Sequence, residues 1–161
     1  MKVMSPLILI SWLMCITSCQ TSESEEIMND DNSNYAVVKN VSTSGEDGNY
    51  TFSVMLKSPD KGCQQYADWW EVISENGDLI YRRILAHSHV SEQPFTRSGG
   101  SVNISATDVV IIRGHLNTLG YGEGEVAMKG SVISGFQQFA ISKDFASDIE
   151  KESPQPNGCA F

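Results

Sequence analysis

An all-β domain is what this sequence predicts: an immunoglobulin- or fibronectin-like β-sandwich of about seven strands with a short C-terminal helix. Three observations lead there. Short runs rich in β-branched and aromatic residues alternate with clusters of Gly, Asn, Asp and Ser across residues 35–132. Asn76-Gly77, between two such runs, is among the strongest hairpin signals. Helical spacing is confined to residues 143–152, where Phe145 and Ile149 sit four apart ahead of Ser153-Pro154. A small barrel made from the same strands is the alternative architecture.

Taken in order, residues 35–41 (YAVVKNV) form the first strand and the Gly/Ser/Asp cluster after them a turn. In residues 50–57, Phe52, Val54 and Leu56 alternate with Thr51, Ser53 and Met55, the period of a half-buried strand. Residues 58–62 (SPDKG) break the chain. DWWEVIS (68–74) and LIYRRILAHSHV (79–90) form a hairpin, and SEQPFTRSGG reads as the loop after it. Residues 101–105, 109–116 and 124–132 supply three more strands.

If Asn76 and Gly77 close a two-residue type I′ turn, the hairpin register follows. Trp69 then faces Ile84, Glu71 faces Arg82 and Ile73 faces Ile80 on one side, which is assigned to the core. The other side pairs Tyr66 with His87, Asp68 with Leu85, Trp70 with Arg83 and Val72 with Tyr81. Tyr66, Asp68, Trp70 and Arg83 make that side the candidate binding face, with Arg83 placed to stack on Trp70. The competing reading is a solvated sheet face whose aromatics cover their neighbours.

Composition narrows the function. Net charge is −9 with only eleven Lys and Arg, so nucleic acid is excluded as a partner and anionic lipid head groups are disfavoured. Lys2 precedes an apolar run from Val3 to Ile16, shorter than the ~20 residues a membrane-spanning helix needs. It has the length of a signal-peptide core. The run ends in Ile16-Thr17-Ser18-Cys19, which resembles the lipobox of bacterial lipoproteins. The resemblance implies that residues 1–18 are a signal peptide cleaved before Cys19. It also implies that Cys19 carries acyl chains such as palmitate on its sulfur and on its new amino group. Two or more chains hold a protein on a membrane where one binds only marginally. Cys15 fits less well, because Met14 before it is not small.

Residues 20–34 carry five acidic side chains and no basic one. With Cys19 they read as a solvated, self-repelling tether over residues 19–34, ahead of a single domain over 35–161. Gln20 stands where lipoproteins of the enterobacterial type carry Asp for inner-membrane retention. The resemblance therefore implies an outer-membrane location, and the acidic run loosely resembles surface-export signals. In an oxidising envelope Cys63 and Cys159 are expected to form a disulfide.

The alternative function is an envelope copper- or zinc-binding protein. His87 and His89 stand two apart on one face of a strand, and His115 from another strand can complete three imidazoles. The His-x-His pair in an exported sandwich resembles copper–zinc superoxide dismutases, but those need more His ligands and a metal-binding Asp, and this chain has three His in all. The opposing reading makes the three His structural. Enzymatic readings are weaker. Ser88 points away from both flanking His. Ser98-Gly99-Gly100 resembles the chymotrypsin-like nucleophile loop only superficially, because Arg97 precedes the Ser. Asp68, Glu71 and Glu92 show no spacing that singles out a carboxylate pair. The glycines at 120, 122 and 124 are followed by a strand, not by the helix a phosphate cradle uses. The expectation is a lipid-anchored binding or interaction module that is not an enzyme and takes no cofactor. Its partners are the membrane, through acylated Cys19, and an envelope protein or glycan.

Overall fold

A computed structural model of the chain describes residues 34–160. The expected signal peptide, Cys15, Cys19 and the tether as far as residue 33 lie outside the described residues. The strands are β1 (Val37–Glu46), β2 (Asn49–Lys57), β3 (Ala67–Ser74), β4 (Leu79–Ile84), β5 (Phe95–Val102), β6 (Val110–Leu116), β7 (Gly120–Tyr121), β8 (Gly124–Ser131) and β9 (Gly135–Ile141). They form two antiparallel sheets, one in the order β1-β2-β5 and one in the order β4-β3-β6-β8-β9 with β7 beside β6. The fold class is thus all-β, with two sheets sharing a core. Phe52, Val54 and Leu56 bury their side chains, as their alternation requires, among Trp70, Val72 and Ile112 of the second sheet. Each such side chain contributes roughly 1.5–3 kcal/mol on leaving water.

Several boundaries differ from expectation. The stretch Phe95–Gly100, expected as loop, is the first part of β5 and pairs with β2. Its two glycines and lack of apolar alternation give it the composition of a loop. A Cβ on Gly99 would lie 2.6 Å from the Tyr81 hydroxyl, so β5 uses a residue without a side chain where β4 crosses it. β4 ends at Ile84, and residues 85–90 leave the sheet. The segment GFQQFAI, which lacks an alternating pattern, forms the edge strand β9. The C-terminal helix is only a 3-10 segment, Ser147–Lys151; two apolar residues give too little amphipathic face to hold a longer helix.

The hairpin turn also differs. Gly77 N–H donates to the Ser74 carbonyl at 3.0 Å, and Ser74 N–H donates to the Asp78 carbonyl at 2.9 Å. Only Gly77 of the pair has positive φ, at 93°. The loop therefore has three residues, with Gly77 in the left-handed position that follows a type I turn, instead of type I′. Ile73 consequently pairs with Leu79, not Ile80. The register shift between Val72 and Ile73 then restores the expected pairs, Val72–Tyr81, Glu71–Arg82, Trp70–Arg83 and Trp69–Ile84.

The assignment of faces is the larger correction. Trp70 and Val72, expected on the binding face, lie in the core between the sheets. Trp69, Glu71 and Ile73, expected there, face outward from the sheet pair and are buried as well. What covers them is the chain after β9, which forms a strap across the second sheet. Ile149 of the strap packs with Ile73 and Ile111 in a second apolar cluster, flanked by Phe145 and Ala146.

An ion triad holds the strap. Glu71 Oε2 accepts from Arg82 Nε at 2.9 Å and from Trp69 Nε1 at 3.1 Å, while Oε1 accepts from Arg113 Nε at 2.8 Å. The outer nitrogens of both guanidiniums reach strap carbonyls. Arg82 donates to Ile149 at 2.7 Å, Glu152 at 2.6 Å and Pro154 at 3.2 Å, and Arg113 to Phe145 at 2.6 Å and Ala146 at 3.0 Å. Arg82 also lies 4.5 Å over Trp69 and Arg113 3.4 Å over Tyr121. Beyond the strap, Cys159 is disulfide-bonded to Cys63 across 96 residues, as expected.

Two predictions follow from this strap. Glu71→Ala strands two buried guanidiniums and should lower unfolding free energy by about 3–5 kcal/mol in a urea titration. A loss below ~1 kcal/mol would mean that the carbonyls alone satisfy both arginines. Replacing Cys63 and Cys159 together by Ala should cost up to ~4–5 kcal/mol by loop entropy; an unchanged urea midpoint would show that the triad and Ile149 already fix the tail.

Candidate functional site

Just past β4 the chain turns out of the sheet and is caught by the carboxylate of Asp60, from the SPDKG segment. Asp60 Oδ2 accepts from His89 N–H at 2.7 Å and from the Ser88 hydroxyl at 3.3 Å. Its Oδ1 accepts from the Ser58 hydroxyl at 2.7 Å and from Ala67 N–H at 3.0 Å. Gln93 braces the same loop, accepting from Ser58 N–H at 3.0 Å and donating to the His89 carbonyl at 3.2 Å. This network fixes His89 on Phe95, with ring centroids 3.8 Å apart and planes 9° apart, and brings His87 within 4.5 Å of it, centroid to centroid.

A cleft of about 100 Å³ opens here, lined by Arg83, Ile84, Leu85, Ala86, His87, His89 and Arg97. Every titratable lining residue is basic or an imidazole, in a chain of net charge −9. The His89 side chain is 2% exposed, yet neither ring nitrogen makes a hydrogen bond, and Nδ1 is 4.0 Å from Asp60 Oδ2. Burial pushes the His89 pKa below the usual imidazole value, and the charges of Arg97 and His87 push the same way against Asp60 and Glu92. Arg97 is held at the rim by Glu92, 2.9 Å away, and that hydrogen bond draws the Glu92 pKa down. Arg83 donates to the Ser98 carbonyl and the Ile84 carbonyl, both at 3.0 Å, and forms no salt bridge among the described residues.

His115 occupies a different environment, under the strap. Its Nδ1 lies 2.6 Å from Asp68 Oδ1; a carboxylate only accepts, so Nδ1 carries the proton. Trp69 stacks on the ring at a centroid distance of 3.5 Å. Nε2 makes no hydrogen bond, and Glu150 Oε1 lies 3.4 Å from it. Next to it the Tyr121 hydroxyl is held neutral, its pKa raised by burial first and then by the charge of Glu71.

The predicted site residues therefore separate. His87 and His89 meet as expected, although residues 87–89 are not strand. His115 does not join them, and no cluster of three His, Cys, Asp or Glu side chains able to hold a metal ion occurs among the described residues. The spacing within residues 87–89 was informative; the 26 residues to His115 carried no information on its strand's place in the sheet. Of the candidate binding face, Tyr66, Asp68 and Trp70 are buried, and Arg83 lines a cleft. Asp60 and Arg97 were missed. Asp60 sits in a segment that reads as a chain break, and Arg97 in one that reads as a loop.

A protein of Halomicrobium mukohataei named "Putative lipoprotein" is 48% identical to this chain over 71 residues, 44% of this chain and 35% of the relative. The match thus spans about a third of that relative's length. No family model matches the chain, and no solved structure does.

The burial of His89 has a pH consequence. Unfolded, it titrates near 6.5; folded, it titrates lower. As pH falls below ~6.5 the unfolded chain takes up a proton that the folded chain resists, so stability falls with pH until the folded pKa is reached. In chloride buffer, wild type should lose more melting temperature between pH 7.5 and 5.5 than His89→Phe, which keeps the stack on Phe95. Equal losses would mean that His89 titrates as it does unfolded.

Proposed function

We propose that the chain is a lipid-anchored envelope protein whose β-domain is a binding module, with the cleft beside Arg83, His87, His89 and Arg97 as its ligand site. The observation that carries the module reading is that cleft: basic and imidazole groups gathered on a small opening, one His buried without a hydrogen-bond partner. Support for the anchor comes from the lipobox at Cys19 and from the likeness to a protein named as a lipoprotein. In this reading residues 1–18 are removed, Cys19 is acylated, residues 19–34 are the tether, and residues 35–161 face the outer-membrane periplasm or the cell surface.

The sandwich is proposed to be of the immunoglobulin or fibronectin kind. If β1, β2, β3, β4, β5, β6 and β8 are lettered A, B, C, C′, E, F and G, the sheets read A-B-E and C′-C-F-G, the order such sandwiches use, with β9 added at the edge. Amide-to-amide contacts across β2–β5 and β6–β8 in NMR spectra test that order.

Cys19→Ser decides the anchor. Wild type should fractionate with membranes and take up a labelled fatty acid, whereas the variant should keep its signal peptide and take up no label. Unchanged processing and labelling in Cys19→Ser would end the lipoprotein reading.

A further inference from the structure

We infer that the cleft at the end of β4 binds a single oxyanion group: a phosphate, sulfate or carboxylate. The inference rests on the binding-module reading and names the ligand class for that site. Four features point to it. Arg83 and Arg97 line the cleft, and guanidinium suits oxyanions because its planar fork of N–H groups matches their oxygens. His87 and His89 line it as well, and whichever nitrogen of His89 carries the proton, that N–H has no partner. A buried donor left unmade is costly, so a ligand that accepts from it is favoured. No carboxylate lines the cleft, although acidic residues outnumber basic ones in the chain by twenty to eleven.

At about 100 Å³ the cleft has room for one small charged group and its nearest waters. The apolar part of the wall, Ile84, Leu85 and Ala86, lowers the local dielectric and strengthens each charged contact. Phe95 backs His89 and keeps its ring from turning. The anchoring of the loop by Asp60 means that the His89 ring is already fixed before the ligand arrives. Asp60 and Glu92 are the acids that face His89, and both are engaged elsewhere, Asp60 by the loop and Glu92 by Arg97. An oxyanion favours the protonated imidazole, so affinity should rise as pH falls.

Such a group can belong to a free ion or to a lipid head group, and the chain's charge of −9 argues for the free ion, because an anionic surface repels it. The test uses the full chain in a neutral detergent and chloride buffer. Sodium sulfate, inorganic phosphate and acetate are titrated in turn while the amide resonances of residues 83–89 and 97 are followed. At least one anion is expected to give saturable shifts at these residues. Its affinity should fall at least tenfold in Arg83→Gln and be only partly kept in Arg83→Lys, which retains the charge but not the fork. Sulfate, which does not itself titrate here, should bind more tightly at pH 6 than at pH 8.

Shifts that never saturate with any of the three would show an adventitious ion only and overturn the inference. Saturable shifts with glucose or glycine betaine but with none of the anions would also overturn it, while leaving the binding module standing. Silence of these residues to every probe would overturn both. A second arm offers residues 19–161 carrying Cys19→Ser, which have neither acyl chains nor the apolar run Val3–Ile16, to phosphatidylglycerol and phosphatidylcholine vesicles. Capture by neither supports a free ion, and capture by phosphatidylglycerol that phosphate reverses supports a head-group phosphate in the same site. Capture that phosphate does not reverse counts against the cleft as the anion site.

Discussion

One carboxylate, that of Glu71, sets the layout of this domain. It sits in the middle of β3 and is completely buried, with a guanidinium on either side. Burying a charge is costly unless it is paired, and burying two arginines on one glutamate leaves an excess positive charge. The carbonyls of the strap supply the remaining negative potential, five hydrogen bonds from two side chains. This is why the outer face of the second sheet is not a solvated surface. Without the strap, Arg82 and Arg113 would be half-paired and Trp69, Ile73 and Ile111 would meet water. Without Glu71, the strap would have apolar contacts through Ile149 but nothing to fix its direction.

This constraint explains which parts of the sequence were legible. Strands buried on one face, such as β2, show their alternation openly, and the disulfide followed from the number of cysteines and the inferred compartment. β3 and β6 are covered on both sides, and a doubly covered strand normally reads as a continuous apolar run. Here Asp68, Glu71, Arg113 and His115 interrupt those runs because their charges are satisfied internally. A polar residue in a strand ordinarily marks the solvent side, so Trp70 and Arg83 read as an outer face, although Trp70 lies in the core. The hairpin shows a different limit. Asn76-Gly77 located the turn correctly, but one added loop residue and one added strand residue offset each other, and pairing alone could not expose either.

The three histidines illustrate how context divides residues of one type. His115 is held between Asp68, Trp69 and Tyr121, where its proton is assigned and its ring is clamped. His89 is as deeply placed but has only a ring to lean on and no acceptor for its N–H. Both are enclosed by neighbours from distant parts of the chain, Asp60, 29 residues from His89, in one case and the strap in the other. Spacing of two brought His87 and His89 together; nothing local could say that one wall of their cleft comes from β5.

The grip on the strap is a grip on main chain. Arg82 and Arg113 recognise carbonyl oxygens, which every residue possesses, so the bond is indifferent to most of the side chains it passes. Ile149, whose side chain enters the second apolar cluster, and Phe145 and Ala146, which flank it, are the exceptions. The outward residues of the strap, such as Asp148, Lys151 and Glu152, are therefore free to change as the surface requires. Sequence divergence there need not signal a different fold.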